Sequence, residues 1–256
     1  MINLLRAEWI KLRTVTMNWV LGIIAIAFPL VVTLLTAYFA SGKTADDDGL
    51  DTNGLVGVLT GTAIVASLLC GVIAAASITS EFGFGTIRPT FAATPKRLKV
   101  VVAKGIVAVG FAAAALAIVQ VVGWYVGSAI ADARGATIDL DQLPTGVPAM
   151  VGAVVLAALL ALFGYGLGLI TRSTPAAVAI LIVWPLIAEN LVAQLLIVAT
   201  DNESIRDWMP LQAGFRLVFT DGFGDGPSRL TSGLYFGAFA LAITGLGGWL
   251  VNRRDA

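Results

Sequence analysis

Residues that could do chemistry are few in this chain, and their types exclude more than they allow. No histidine occurs in the 256 residues. That removes the commonest general base and the commonest metal ligand together, so a zinc enzyme or a Ser-His-Asp hydrolase is excluded. The one cysteine, Cys70, lies inside an apolar run, so no disulfide framework exists within the chain. The acidic stretch DDDGLDTNG (46–54) lacks the twelve-residue spacing and closing glutamate of a calcium loop. It reads as a solvated loop. No GxxxxGK[ST] stretch occurs, so the chain has no phosphate loop with which to bind and split ATP. Two features remain. One is Glu189, a lone acid in a long apolar run. The other is the basic, Gly- and Pro-punctuated stretch EFGFGTIRPTFAATPKRLKVVVAK (81–104).

The elements that must carry these residues follow from composition. Hydrophobic residues make up 58% of the chain and charged residues only 12%; the mean hydropathy is +0.90. A soluble domain carries about 25% charged residues. Such a surface needs lipid around it. A helix crosses the hydrocarbon in about 20 apolar residues, and six stretches qualify: Met17–Phe39, Leu55–Thr79, Gly105–Ile130, Val147–Ile170, Ala176–Ala199 and Thr231–Val251. The expected fold is an all-α membrane protein with a single transmembrane domain over 1–256. The first apolar run is too long for a signal core and reads as a retained helix. Four GxxxG pairs (Gly57/Gly61, Gly123/Gly127, Gly164/Gly168, Gly233/Gly237) have the spacing for close helix packing, although glycine is common in membrane helices for other reasons too.

Loop charge sets the orientation. Six crossings place Arg6, Lys11, Arg13, Arg88, Lys96, Arg97, Lys99, Lys104, Arg172, Arg253 and Arg254 on one side. Lys43, Arg134, Arg206, Arg216 and Arg229 fall on the other. The richer side is expected to be cytoplasmic, with both termini there, in a cell membrane. The formal net charge is zero, so no basic field attracts nucleic acid.

Three segments are not simple spans. In the N-terminal stretch (1–16), Ile2, Leu5, Trp9 and Leu12 share one helical face; Asn3, Glu8 and Lys11 lie elsewhere, with Arg6 and Arg13 at the margin. The pattern predicts an amphipathic helix along the membrane surface. In the loop 81–104, Glu81 sits at the exit of the second span, Gly83 and Gly85 permit a sharp turn, and Thr86, Pro89 and Pro95 delimit a short helix. A purely topogenic basic loop is the alternative. The outer segment 201–229 is too short to span and too apolar to be solvated. It reads as one or two half-helices dipping into the outer leaflet, broken at Pro210 and Gly214.

These segments, in this order, resemble the type-2 ATP-binding-cassette transporter permeases. The most specific match is E-F-x-x-G-T-I-R followed by T-P-K-R and K: Glu81, Phe82, Gly85, Thr86, Ile87, Arg88, Thr94, Pro95, Lys96, Arg97 and Lys104. VWPLIAEN (183–190) and DWMP (207–210) are similar to small bacterial, actinobacterial-type members. The resemblance implies an N-terminal connecting helix (Leu5, Arg6, Trp9, Lys11, Leu12, Arg13). It also implies a coupling helix between spans two and three, docking on an ATPase through Glu81 to Arg97, Gly83 included, and re-entrant helices between spans five and six. It further implies two copies of a separate ATPase subunit holding the ATP and Mg, with no cofactor on this chain, and a second permease copy. The activity implied is export of a hydrophobic or amphiphilic cargo such as a drug, peptide antibiotic or lipid.

Glu189 is the sharpest single residue. An ionisable group at the centre of a span costs about 2.5–3.5 kcal/mol on insertion scales. With Trp184, Asn190 and Gln194 it is a candidate for the pathway or gate; a structural hydrogen bond between helices is the equal alternative. The rival functions are an ATP-independent channel or carrier, a membrane-embedded enzyme, and a sensor or immunity subunit coupled to an ATPase. With only Glu189 in the spans, a proton relay is poorly supplied. With no aspartate there and no histidine in the chain, an intramembrane protease lacks its catalytic pair.

Overall fold

The computed structural model describes residues 2–41, 49–86, 97–220 and 226–254. In chain order the main helices are α1 (Ile2–Thr14), α2 (Thr16–Ala40), α3 (Thr52–Gly83), α4 (Arg97–Ala133), α5 (Gly146–Thr171), α6 (Thr174–Val183), α7 (Glu189–Thr200), α8 (Pro210–Phe215) and α9 (Arg229–Arg254). A π turn, Trp184–Ala188, joins α6 to α7. Six helical units are long and apolar enough to cross a membrane: α2, α3, α4, α5, α6–α7 together, and α9. Among the described residues there is no strand. The chain is an all-α membrane protein.

α3 and α5 form the centre. Their backbones meet at three glycines. A Cβ on Gly164 would fall on the carbonyl oxygen of Gly71. One on Gly71 would lie 3.0 Å from the Leu160 carbonyl oxygen, and one on Gly168 2.9 Å from that of Ala75. In lipid no hydrophobic drive separates helix from solvent, so van der Waals contact at this range holds the pair. Leu156, Leu160, Ala74, Ala75 and Leu181 are buried beside the seam. α2 and α4 cover one flank of α3, and α9 covers α5, where Thr244 Oγ1 donates to the Leu162 carbonyl at 2.9 Å. The Tyr165 hydroxyl donates to the Val101 carbonyl at 2.8 Å, joining α5 to α4 in a fully buried position.

Of the four GxxxG pairs, Gly164/Gly168 is the backbone seam. Gly123/Gly127 and Gly233/Gly237 face side chains, chiefly those of Leu59, Leu55 and Leu217, and a Cβ on Gly57 or Gly61 would meet nothing within 4 Å.

The helices run longer than their apolar cores. α3 continues through Gly83, because Phe84 N still donates to the Ser80 carbonyl at 2.9 Å. Gly83 therefore makes no turn, and Gly85, at φ 69°, makes it alone. α4 begins at Arg97, so Lys104 is a helix residue rather than a loop residue. Ile87, Arg88, Pro89, Thr94, Pro95 and Lys96, and with them the expected short helix, lie outside the described residues, as does the Arg97 side chain. Asp51 caps α3 by accepting from Gly54 N at 2.7 Å, a role its place in an acidic run concealed. The segment 201–229 is largely helical where described and breaks at Pro210 as expected, but not at Gly214. Met209 is extended (φ −71°, ψ 129°) and Pro210 opens α8, where its missing N–H costs nothing. Gly214 lies within α8, against the Phe236 ring.

Gly164→Ala forces the α3–α5 seam apart, and overpacking of this kind costs about 1–3 kcal/mol. The expected result is a clearly lowered thermal midpoint in detergent, while Gly57→Ala and Gly61→Ala leave it unchanged.

Candidate functional site

Two clusters of polar side chains lie at opposite ends of the bundle. The first forms where α1 crosses the ends of α3 and α4. The α1 face turned inward carries Glu8 and Leu12, with Lys11 beside them, and Glu8 is only 4% exposed. Ile2 and Trp9 face outward. The N-terminal helix forms as expected, but Glu8 is on its buried face rather than its solvated one. Opposite charges make that affordable. Lys104 from α4, itself 5% exposed, donates to Glu8 Oε2, and to Glu81 Oε1 at 2.9 Å. Lys11 donates to Glu8 Oε1 at 2.8 Å and to Glu81 Oε1 at 3.0 Å. Two carboxylates and two ammonium groups thus close a neutral ring joining three helices.

The ring borders a cavity of about 340 Å³, lined also by Asn18, Ser77, Ser80, Phe84 and Thr86. Asn18 Nδ2 donates to the Leu12 carbonyl at 3.3 Å and fixes the bend from α1 into α2. Beyond the ring, Arg172, in the left-handed conformation that ends α5, lies 4.7 Å over the Phe82 ring. Thr79 and Thr174 share a hydrogen bond of 2.6 Å. The last turns of α3 therefore touch α1, α4, the α5 terminus and the start of α6. Of the expected connecting and coupling residues, the structure brings together Lys11, Leu12, Glu81 and Phe82, and adds Glu8 and Lys104. Leu5 is half-buried, and Arg6 and Arg13 stay at the surface.

Electrostatics keeps Glu8 and Lys11 charged. Burial alone would raise the Glu8 carboxyl, but Lys104 and Lys11 outweigh it and hold Glu8 below its ordinary value of 4.5. Burial would lower Lys11, but hydrogen bonds to Glu8 and Glu81 hold it above 10.5. The ring ties three helices together through charge-assisted hydrogen bonds, an arrangement suited to a clamp.

The second cluster lies at the far end. Glu189 begins α7 and is 1% exposed. Its Oε1 accepts from Leu211 N at 2.8 Å, and the Gln212 amide is directed at the same carboxylate. These are among the first N–H groups of α8, which lack partners within their own helix. Glu189 caps α8 from another element. Asn190 accepts from Gln212 Nε2 at 3.2 Å and donates to the Pro185 and Leu186 carbonyls, which the π turn exposes, at 3.3 Å each. Gln194 accepts from Arg206 at 3.3 Å. Trp184 is half exposed in the π turn and joins none of these contacts. Arg216 pairs with Asp207 at 2.6 Å, and the Tyr235 hydroxyl donates to the Trp208 carbonyl at 2.9 Å. α7 and the outer segment are thus bound as one unit. Sequence spacing offered no sign that Glu189 caps a helix more than twenty residues on; a glutamate in a span shortly before a Pro-initiated helix was the only trace. Among the described residues no group of His, Cys, Asp or Glu is arranged to hold a metal.

A model of a protein family, described as ABC-2 family transporter protein, matches residues 4–188. The match takes in most of α1, the ring, four whole spans and the fifth through the π turn, and stops one residue before Glu189. No curated protein matches the chain.

Removing one partner from a buried ionic group costs about 3–5 kcal/mol. Lys104→Met is expected to loosen α1, read as increased mobility of a spin label at Asn3. The wild-type label is expected to be equally immobile between about pH 5 and pH 10. Glu8, whose value is lowered by folding, gives up its contribution as pH falls through that value. Lys11, whose value is raised, gives up its contribution as pH climbs past its own. At the far end, Glu189→Gln keeps an acceptor for Leu211 N and should melt near wild type. Glu189→Ala leaves a buried N–H unpaired, at about 1–3 kcal/mol, and should melt lower.

Proposed function

Since the chain belongs to the ABC-2 family transporter proteins, the permease components of ABC transporters that work with an ATPase partner, we propose that it is the membrane subunit of an exporter for hydrophobic or amphiphilic cargo. In this reading two copies of the chain form the path, two ATPase subunits bind at the end that carries both termini, and that end is cytoplasmic. ATP and Mg stay on the ATPase. The loop from Gly85 to Arg97 docks there, through Thr86, Ile87, Arg88, Thr94, Pro95, Lys96 and Arg97.

The ring of Glu8, Lys11, Glu81 and Lys104 carries the reading. Glu81 is buried and paired, so the ATPase does not grip it directly. Glu81 stands instead in the last turn of α3, just before the loop turns at Gly85, and the ring joins that turn to α1 and α4. A push on the loop would reach three helices at once through charged contacts that stay rigid at neutral pH. The α3–α5 seam then passes it to the centre of the bundle.

At the far end Glu189 is the alternative to a cargo contact: it holds the outer segment on α7. The π turn at Trp184–Ala188, where Pro185 lacks an N–H, is the natural bending point between that unit and α6. The gate is then the whole capped unit, with Asn190 and Gln194 as its fasteners and Trp184 at its hinge.

The test uses the chain reconstituted with its ATPase subunit in vesicles. Glu81→Gln and Arg88→Gln are each expected to lower cargo transport about tenfold or more, with ATP hydrolysis and membrane insertion retained. Normal transport in both variants would sink the proposal and leave the loop a topogenic one.

A further inference from the structure

A second cavity has no part in the ring or the outer unit. It is a groove of about 900 Å³ between α4 and α9, floored by α5. Its walls are apolar, and its polar groups are mostly spent. Thr244 Oγ1 donates to the Leu162 carbonyl and the Tyr165 hydroxyl to that of Val101. Four glycines, Gly105, Gly110, Gly245 and Gly248, keep it open. It runs along α4 from Leu98 to Gly110 and along α9 from Leu241 to Asn252. At 1.5 Å per residue these lengths are about 18 and 17 Å. Half the hydrocarbon core is about 15 Å. The groove is therefore one leaflet deep, open sideways to lipid, and starts at the end of the bundle that holds α1.

Its mouth is cationic. The Arg253 guanidinium lies 4.3 Å from the centre of the Trp249 ring, which lines the groove. Lys99, exposed, follows Leu98 at the opposite lip. Within 97–104 and 249–256 the one acid is Asp255, outside the described residues. Basic residues at the end of a cleft between membrane helices favour anionic head groups, at about 1 kcal/mol of attraction per charge near the surface.

We infer that this groove holds one acyl chain of an anionic phospholipid from the leaflet around α1, with Lys99 and Arg253 at its head group. A polar cargo finds few free hydrogen-bonding groups inside. A single hydrocarbon chain matches the depth, the chemistry and the charge at the mouth.

The glycines supply the test. A Cβ on Gly110 or Gly245 meets nothing within 4 Å, and both glycines line the groove, so a side chain added there starts into open groove space. The full chain is placed in nanodiscs containing phospholipid brominated on its acyl chains, as phosphatidylglycerol or as phosphatidylcholine. Quenching assigned to Trp249 is read as the difference between wild type and Trp249→Phe. Phosphatidylglycerol is expected to quench at lower mole fraction. Lys99→Gln and Arg253→Gln should each reduce that preference roughly fivefold. Gly110→Leu and Gly245→Leu should abolish it at an unchanged melting temperature. Equal quenching by the two lipids overturns the inference. So does quenching that survives both leucine variants, and so does a disulfide between two copies through Gly245→Cys.

Discussion

The contact of α3 with α5 is the constraint from which the rest of the bundle takes its shape. Two helices in hydrocarbon gain nothing from burying apolar surface that lipid would cover equally well. They stay together only if their atoms approach more closely than lipid can. Gly71, Gly164 and Gly168 allow that, by letting backbone meet backbone. Once the pair is set, α2, α4 and α6 pack around α3, and α9 packs on α5. The ends of α3 are then fixed in space, and both polar clusters are built from what those helices bring to each end.

At one end, α3 delivers Glu81 to the place where α4 delivers Lys104. That pair alone would leave the site short of balance once Lys11 approaches from α1. Glu8 completes it. Each charge in the ring answers charges on other helices, which is why Glu8, Glu81 and Lys104 can sit buried while Lys11 closes the ring from its partly exposed side. Such a ring resists small displacements of any one member. It therefore suits the proposed task of carrying motion from the loop after Gly85 into the spans. At the other end one carboxylate does a comparable job for backbone groups. Glu189 satisfies the start of a short helix that has no room to satisfy itself, and so ties α7 to the outer segment.

Much of the architecture was legible in the sequence. The six spans of the structure contain the six apolar runs, each extended by a few residues at its ends. Those extensions mattered. Apolar length marks where lipid is, whereas helix length depends on whether backbone hydrogen bonding continues, and it continues through Gly83 and back to Arg97. The helix α1 was also legible, but its inward face was not. Periodicity assigns charge to solvent by default, because an unpaired buried charge is costly. Glu8 escapes that rule through Lys104, 96 residues away.

The sequence by itself determined that this chain suits a membrane and has six stretches apolar and long enough to cross it. Composition and apolar length decide those points without reference to any contact, whereas the resemblance to ABC-2 permeases rests on motifs such as that of 81–104. Tertiary structure alone decided the partners: which glycine pair is a seam, which face of α1 turns inward, and that Glu189 caps α8. Each of these joins residues remote along the chain, so each depends on distances that exist only after the helices have packed.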